Sequence, residues 1–245
     1  MTAEELLSEA WDRESASWIK WARTPGHDSY WKFHRDQFLE LVPPPGQLTV
    51  DIGCGEGRLS RDLKRIGHTI KSFDASATMI EAAREADPNG CYDIAYADRL
   101  PLSDGAADLA VMFMVLQDID DLEATVQELS RVLANSARAC LAIVHPLNSS
   151  GDFTSRDAKS EFMIKKSYLG EFRYSDTFER DGLSMTFHSV HRTVESFSRA
   201  FEKFGLCIEA IREHPVPDSA CRSEESRRWQ RVPLFLHFRL VKCRA

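Results

Sequence analysis

Three glycines stand at alternate positions directly after an apolar run that is typical of a buried β-strand. The stretch reads Val50-Asp51-Ile52-Gly53-Cys54-Gly55-Glu56-Gly57, and a helical pattern begins at Arg58. Glycines at a strand–helix junction let the backbone turn tightly and bring main-chain amides against a ligand at the helix N-terminus. Alternating glycines alone are equally typical of an ordinary turn, so a binding loop needs support from other residues.

Two acidic residues give that support, because each ends a predicted strand. Asp74 follows the second strand, where a carboxylate can accept both hydroxyls of a ribose, and Asp98 follows the third. The main alternative is a nicotinamide-dependent oxidoreductase, whose dinucleotide fingerprint is G-x-G-x-x-G. Arg58 stands where that fingerprint has its third glycine, and Gly57 comes one residue earlier. The spacing therefore favours a nucleoside without a pyrophosphate.

The elements that position these residues alternate between short apolar runs and helical stretches. Strands are predicted over residues 48–52, 69–73, 92–97, 108–113 and 139–144, and helices over 58–66 and 76–86. A further helix is predicted to begin with a capping box formed by Asp120 and Glu123. Repeated strand–helix units of this length predict an α/β fold with a mostly parallel sheet and helices on both faces.

The flanking segments have a different character. Leu7, Trp11, Trp18 and Trp21 share one face of a predicted N-terminal helix, and a second helix is predicted over residues 29–41. Residues 148–190 form a polar insertion with a predicted hairpin at Asp181-Gly182. A helix over 194–204 and strands over 206–211 and 234–240 are predicted to follow, and the sequence contains no internal repeats. We expect one domain with four parts: a helical lid (1–45), the ligand-binding core (46–147), the β-rich insertion (148–190) before the last helix, and a C-terminal completion of the sheet (191–245).

A resemblance to a known family rests on several motifs in succession. Asp51-x-Gly53-x-Gly55-x-Gly57, Asp74, Ala97-Asp98 and Leu102-x-Asp104-x-x-x-Asp108 resemble the motifs of class I S-adenosylmethionine-dependent methyltransferases. The group that this chain is most similar to comprises the ubiquinone/menaquinone-biosynthesis-type and other small-molecule methyltransferases. The resemblance covers about residues 46–146 and continues more weakly to the end of the chain. One departure is Ala134-Asn135-Ser136-Ala137, where many members carry a Pro-Gly-Gly turn, although Asn and Ser also favour turns.

The resemblance implies a Rossmann-like, seven-stranded sheet, S-adenosyl-L-methionine as cofactor, and methyl transfer to a small molecule. Transfer to oxygen or nitrogen is favoured over carbon. The implied cofactor-binding residues are Asp51, Gly53, Gly55, Gly57, Asp74, Ala75, Asp98, Arg99 and Leu116. In this assignment the glycines line the methionine part, Asp74 holds the ribose and Asp98 holds the adenine amino group. A nicotinamide oxidoreductase and a non-catalytic cofactor-binding protein remain as alternatives.

His145 is the predicted catalytic base, because it follows a parallel strand at the edge where open sheets place their ligands. A helix-capping role beside Pro146 is the competing interpretation. Residues of the N-terminal segment and the insertion are predicted to contact the substrate: Trp21, Arg23, His27, Tyr30, His188 and His191. His188 and His191 have H-x-x-H spacing, but on a strand this spacing points the two side chains to opposite faces. We predict no metal site there, nor at the aspartates 118, 120 and 121.

Composition limits the partners. The chain has 31 Lys and Arg against 38 Asp and Glu, a net charge of −7, which argues against extensive contacts with nucleic-acid phosphates. No apolar run is long enough for a membrane span, and residues 1–10 lack the apolar core of a signal peptide. The six cysteines are widely spaced and are expected to be free thiols in a cytoplasmic protein. The sequence predicts no oligomeric state.

Overall fold

One seven-stranded sheet lies at the centre of the molecule in the computed structural model, which describes residues 5–243. The strands of the chain are β1 (Thr49–Ile52), β2 (Ile70–Asp74), β3 (Tyr92–Ile94), β4 (Ala107–Phe113), β5 (Leu133–Val144), β6 (Gly151–Phe153), β7 (Phe162–Ile164), β8 (Phe172–Arg180), β9 (Leu183–His191), β10 (Leu206–Arg212) and β11 (Phe235–Lys242). The helices are α1 (Leu7–Arg23), α2 (Arg35–Leu39), α3 (Arg58–Arg65), α4 (Ala77–Ala86), α5 (Leu122–Val132), α6 (Pro146–Ser150), α7 (Val194–Lys203) and α8 (Glu224–Arg227).

The central sheet has the strand order β3-β2-β1-β4-β5-β11-β10. Strands β1 to β5 are parallel, and β11 is antiparallel to both of its neighbours, β5 and β10. The predicted Rossmann-like, seven-stranded, mostly parallel sheet is therefore confirmed. Because parallel strands end at the same edge, the ends of β1, β2, β4 and β5 lie side by side, and the residues that follow them share one site.

The two faces of the sheet bury separate apolar clusters, because successive side chains on a strand point to opposite faces. On β5, Leu141 and Ile143 pack with helices α5 and α7, whereas Cys140 and Ala142 pack with Phe38 of α2 and with α3. This double burial explains why the central strands read as continuous apolar runs. Helices cover both faces, as predicted.

The segments outside the core cover the carboxyl edge of the sheet. Helix α1 packs against α4 and β9, and residues 30–34 form a π-helical turn that leads into α2. The insertion forms two antiparallel ribbons, β6–β7 and the longer β8–β9 hairpin. Its turn is at Asp181 and Gly182, whose φ angles are 51° and 77°, in agreement with the predicted hairpin turn.

Three local predictions are wrong. Residues 134–137 are part of β5 instead of a turn; Ser136 has a φ of 66°, and the β4–β5 register shifts nearby, so the strand is distorted but not interrupted. The cap of α5 is Asp121, whose carboxylate accepts from the Ala124 amide, while Asp120 accepts from the Leu7 amide. The third strand ends at Ile94, three residues before the predicted end.

The expectation of six free thiols is also wrong for one pair. Cys207 on β10 and Cys243, just after β11, form a disulfide at the edge of the sheet. The antiparallel pairing of these strands places the two residues close together, although they are 36 positions apart in sequence. Within residues 5–243, no helix has the length and apolar character needed to cross a bilayer.

Candidate active site

The glycine loop after β1 is left-handed at all three glycines. The φ angles of Gly53, Gly55 and Gly57 are 71°, 56° and 80°, a region that side chains with a Cβ rarely adopt. A Cβ at Gly53 would lie 2.5 Å from a side-chain methyl group of Val115, so the close approach of the Val115 side chain requires glycine. At Gly55 a Cβ would meet only Trp18 Nε1, at 3.5 Å. Gly55 is thus the glycine whose missing side chain leaves space on the ligand side.

Asp74 holds this loop from the end of β2. Its Oδ2 accepts from the Gly55 amide at 2.8 Å, and its Oδ1 accepts from the Ser76 amide at 2.9 Å. Burial raises the pKa of Asp74, and the two amides act in the opposite direction by favouring the carboxylate. Each carboxylate oxygen can accept more than one hydrogen bond, so Asp74 can hold the loop and bind a hydroxyl pair together.

Asp51 supports the loop from the last but one position of β1. Its Oδ2 accepts from the Ser60 hydroxyl at 2.6 Å, which ties β1 to helix α3. Burial raises the Asp51 pKa to about 7, although the hydrogen bond from Ser60 acts to lower it. The residue is 1% exposed, yet it contributes to the cavity wall described next.

A cavity of about 1580 Å³ extends from the glycine loop across the ends of β4 and β5. This volume exceeds that of ordinary single-ligand pockets and leaves room for two ligands side by side. Its near end is lined by the glycine loop and the residues after β2 and β3. Its far end is formed by the π-helical turn, the insertion and the segment before β11.

Arg58 closes the near end of this cavity. The guanidinium forms an ion pair with Asp28 and lies over the rings of Trp18 and Tyr30, at 4.9 and 4.2 Å from their centroids. The residue is 9% exposed. Arg58 therefore fastens the N-terminal segment to the helix that follows the glycine loop, a role that the sequence did not indicate.

His34 brings an imidazole to the far end of the cavity. Its Nε2 lies 2.9 Å from Nε2 of His237 on β11, and its ring stacks on Phe235 with centroids 3.7 Å apart. Because Nε2 is engaged with His237, Nδ1 is the ring nitrogen left for a ligand. Burial lowers the His34 pKa well below the usual range, and His237, Arg58 and His214 add to this effect. The neutral imidazole is the stable form.

No sequence signal marked His34, because its position depends on two structural features. The π-helical turn rotates the chain between α1 and α2, and the antiparallel strand β11 places His237 behind the ring. His34 and His237 are 203 residues apart. A lone histidine between aromatic residues reads as a packed side chain in a single sequence.

The structure brings only some of the predicted site residues to the cavity. Those that line it are Asp51, Gly53, Gly55, Asp74, Ala75, Trp21 and His27. Gly57 lies behind the loop, where a Cβ would meet Tyr92 at 2.9 Å. Asp98 and Arg99 are exposed and outside the lining, and Leu116 is buried in the apolar core. The residues that line the cavity after β3 are instead Ala95, Tyr96 and Ala97.

His145 is held as a helix cap and does not line the cavity. Its Nδ1 accepts from the Leu147 amide at 3.0 Å, so Nε2 carries the proton and donates to Glu213 at 2.7 Å. Burial lowers the His145 pKa, while Glu213 acts to raise it. With both ring nitrogens engaged, the geometry gives His145 the capping role and no free nitrogen for a substrate.

The other predicted substrate residues do not line the cavity and are engaged by structural partners. Arg23 donates to Glu56 and to the Ala82 carbonyl, and the Tyr30 hydroxyl donates to Asp62 at 2.7 Å. His191 bonds to the Ser149 hydroxyl and to the Tyr168 carbonyl. His188 bonds to the Ser175 hydroxyl. These contacts stabilise the lid and the insertion.

The three aspartates after β4 have different partners and do not form one cluster. Asp118 lies in the cavity wall and accepts from the Ser189 hydroxyl at 2.6 Å, and burial raises its pKa well above the usual range. Asp120 pairs with Arg173, and Asp121 caps α5. Among residues 5–243, no three His, Cys, Asp or Glu side chains are grouped so as to hold a metal ion.

Comparisons with known proteins agree with this arrangement. A family model described as a methyltransferase domain matches residues 50–141, which include the glycine loop and the ends of β1, β2 and β4. Residues 50–141 match a methyltransferase domain, and the predicted resemblance to class I S-adenosylmethionine-dependent methyltransferases is confirmed. S-adenosylmethionine is the cofactor of that class.

Individual relatives can be named. A malonyl-[acyl-carrier protein] O-methyltransferase from Serratia marcescens is 33% identical over 88 residues, covering 36% of this chain and 34% of the relative. A 2-phytyl-1,4-naphtoquinone methyltransferase from Nostoc sp. is 32% identical over 114 residues, covering 43% of this chain and 50% of the relative. The chain thus matches half or less of these relatives' length. The solved S-adenosylmethionine-dependent methyltransferase from Mesorhizobium loti shares the fold, with a TM-score of 0.70 at 24% identity, over 84% of this chain and 96% of that one.

Proposed function

We propose that this chain transfers a methyl group from S-adenosylmethionine to an oxygen or nitrogen atom of a small molecule. The observation that carries the proposal is the left-handed glycine loop, fixed by Asp74, at one end of a cavity with room for two ligands. The methyltransferase domain over residues 50–141 supports the same conclusion. The relatives named above are called after a quinone and malonyl-[acyl-carrier protein], which supports a metabolite acceptor.

The residues present fit the cofactor. The open side of Gly55 faces the cavity, and Asp74 lies beside it with lone pairs available for ribose hydroxyls. Asp51, Gly53 and Ala75 complete this wall, and Gly57 lets α3 begin behind it. We leave Asp98, Arg99 and Leu116 out of the proposed site, because their side chains lie outside the cavity lining.

When bound, S-adenosylmethionine supplies an electrophilic methyl group on a sulfonium. The chain has to align the acceptor with that methyl group and exclude water. The tryptophans of α1 and the β8–β9 hairpin cover the cavity and serve to exclude water. Trp11 and Trp18 both contact Phe187 edge-on, at 6.1 and 5.9 Å between centroids.

We propose that His34 is the base that removes the proton from the atom that receives the methyl group. In the tautomer in which His34 Nε2–H donates to His237, the lone pair of His34 Nδ1 is free to act as a base. Protonation at Nδ1 then turns the 2.9 Å contact into a charge-assisted hydrogen bond. A base is needed for hydroxyl and protonated amine acceptors, which is why oxygen and nitrogen are proposed over carbon.

The alternatives have less support. The position of a third fingerprint glycine is occupied by Arg58, which is engaged with Asp28 and two aromatic rings, so a dinucleotide phosphate finds no glycine turn there. We propose no nucleic-acid or membrane partner, in keeping with the net charge of −7. A cytoplasmic location stays part of the proposal; four free cysteines support it, while the Cys207–Cys243 disulfide is more typical of an oxidising compartment.

Isothermal titration with S-adenosylhomocysteine, the demethylated product, tests the proposal. We expect micromolar binding to the wild-type protein and at least about a tenfold loss for Asp74→Ala, since hydrogen bonds to a charged group contribute about 1.5–3 kcal/mol. Asp93→Ala is the matched control, because Asp93 is an exposed strand carboxylate with only a surface ion pair to Arg84. Absence of binding at millimolar concentration, or equal binding by both variants, would refute the proposed site. Transfer of radiolabelled methyl to candidate metabolites then identifies the acceptor.

A further inference from the structure

Three cations line one side of the far end of the cavity, and we call them the cationic rim: Lys32, Arg180 and Arg222. Each comes from a different part of the chain. Lys32 lies on the π-helical turn, Arg180 ends β8, and Arg222 lies between a short 3-10 turn and helix α8. Three separate segments therefore bring positive charge to one place.

Three other cations of the cavity wall, Arg58, Lys165 and Arg228, are paired with carboxylates, and a fourth, Lys166, lies over the Phe172 ring. Lys165 pairs with Asp152 at 3.4 Å, and Arg228 pairs with Glu225 at 3.5 Å. In the described part of the chain, neither Lys32 nor Arg222 has a carboxylate within ion-pair distance. The carboxylate that acts to raise the Lys32 pKa is that of Asp28, which is already bound by Arg58.

Arg180 is fixed in place while its charge remains uncompensated. Its Nη1 donates to the carbonyls of Gly26 and His27, and its guanidinium lies 6.0 Å from the Trp21 ring centroid. Carbonyl oxygens satisfy the hydrogen-bond donors but carry no net charge.

The cationic rim is positively charged, whereas the net charge of the whole protein is −7. Burial and the neighbouring Arg180 and Arg222 lower the Lys32 pKa, because like charges and lost hydration both disfavour its cation. An anion placed between these three side chains would remove that repulsion.

The wall beside the cationic rim is aromatic. Trp21, Trp31 and Phe178 line the same end of the cavity, and Phe235 lies next to His34. Flat apolar surfaces of this kind bind the body of a planar or apolar molecule. The far end of the cavity thus combines an apolar wall, a set of unpaired cations and a neutral imidazole.

We propose that the cationic rim binds an oxyanion, a carboxylate or a phosphate, carried by a methyl acceptor with an aromatic or other apolar body. This inference rests on the proposed function, because it assigns the far end of the cavity to the acceptor. The anion anchors one end of the molecule on the rim while His34 faces its nucleophilic atom. The anionic group defines the substrate class.

The test is isothermal titration of the protein saturated with S-adenosylhomocysteine. The probes are 4-hydroxybenzoate for a carboxylate, phenyl phosphate for a phosphate and 4-hydroxybenzamide as the neutral analogue. We expect at least one anionic probe to bind about tenfold more tightly than the amide, which is the effect of one charge-assisted hydrogen bond. Whichever anion gains more identifies the anionic group.

Variants separate the cationic rim from general electrostatics. Lys32→Met combined with Arg222→Gln should abolish the preference for the anion and leave the affinity for S-adenosylhomocysteine unchanged. The matched control is Lys71→Met combined with Arg227→Gln, which removes two exposed cations outside the cavity lining and should keep the preference.

Each other outcome overturns the inference. Equal affinity for charged and neutral probes, no binding of any probe at 10 mM (roughly the −2.7 kcal/mol limit), or an unchanged preference in the rim variant would all refute it. A loss of S-adenosylhomocysteine affinity in the rim variant would assign the rim to the cofactor instead. If the wild-type protein fails to bind S-adenosylhomocysteine at all, the proposed function fails, which is a distinct result.

Discussion

Replacing Gly55 by alanine separates the backbone role of this glycine from its role toward a ligand. At a φ of 56° an alanine destabilises the folded state by about 1–2 kcal/mol. It also lowers the entropy of the unfolded chain, which offsets about 0.4–1 kcal/mol of that loss. We therefore expect a loss of about 1 kcal/mol in the free energy of unfolding, or a Tm lower by about 2–4 °C for a domain of this size. The new methyl group meets no protein atom closer than Trp18 Nε1 at 3.5 Å, so no further steric cost arises in the protein.

The ligand is affected much more. The methyl group occupies the space that Gly55 leaves open on the cavity side, and overpacking of this kind costs about 1–3 kcal/mol. We expect the Kd for S-adenosylhomocysteine to rise roughly 5- to 150-fold. Isothermal titration measures the affinity, and denaturant unfolding of the same sample measures the stability.

Gly205→Ala is the matched control for this experiment. Gly205 has a φ of 70° and no atom within 4 Å of a Cβ, and it lies after α7, outside the cavity lining. It should lose the same stability as Gly55→Ala and bind the ligand like the wild-type protein. If the two variants bind S-adenosylhomocysteine equally well, Gly55 does not face the ligand and the assignment of this end of the cavity is wrong.

Three further outcomes follow from the structure. His34→Gln should lower methyl transfer to an acceptor identified by the radiolabel screen by about 10²–10⁴-fold, without a change in S-adenosylhomocysteine affinity; wild-type turnover would exclude His34 as the base. Burial lowers the His237 pKa to about 3, below the value of about 6.5 in the unfolded chain, so the unfolded state takes up the proton first as the pH falls. Between pH 7.5 and 5 the wild-type protein should therefore lose about 2 kcal/mol more unfolding free energy than His237→Leu, as measured in urea, and parallel pH profiles would contradict this. Alkylation of the unreduced, denatured protein should modify four cysteines, those at positions 54, 91, 140 and 221, and mass spectrometry showing six would disprove the Cys207–Cys243 disulfide.

The parallel core could be predicted from sequence because its signals are local. Strand β1, the glycine loop and the start of α3 follow one another within residues 49–58, and the same strand–helix unit then repeats. Asp74 could be placed at the site because the ends of parallel strands share one edge of a sheet. None of these inferences needed a contact between distant parts of the chain.

The acceptor side could not be predicted in this way, because contacts over long sequence distances determine it. His145 has the expected position at the end of β5, but Glu213 and the Leu147 amide occupy both of its ring nitrogens. His34 was missed since its partner, His237, belongs to the antiparallel strand added at the end of the chain. Asp120 fits the sequence pattern of a helix cap, but its carboxylate binds the amide of Leu7 and the guanidinium of Arg173 instead.

Polar contacts hold the turn of the β8–β9 hairpin over the cavity. The end of the β8–β9 hairpin is joined to residues 26–27 through Arg180, which donates to two carbonyls, and through His27, whose Nε2 lies 3.7 Å from Asp181. Arg180 and Asp181 are exposed, whereas His27 is buried against Trp21. Contacts between exposed charged groups contribute about 0.2–1 kcal/mol each, whereas burying one large apolar side chain contributes about 1.5–3 kcal/mol. Since Arg180 belongs both to this contact and to the cationic rim, an anionic acceptor that binds the rim also stabilises the closed hairpin, which couples substrate binding to the exclusion of water.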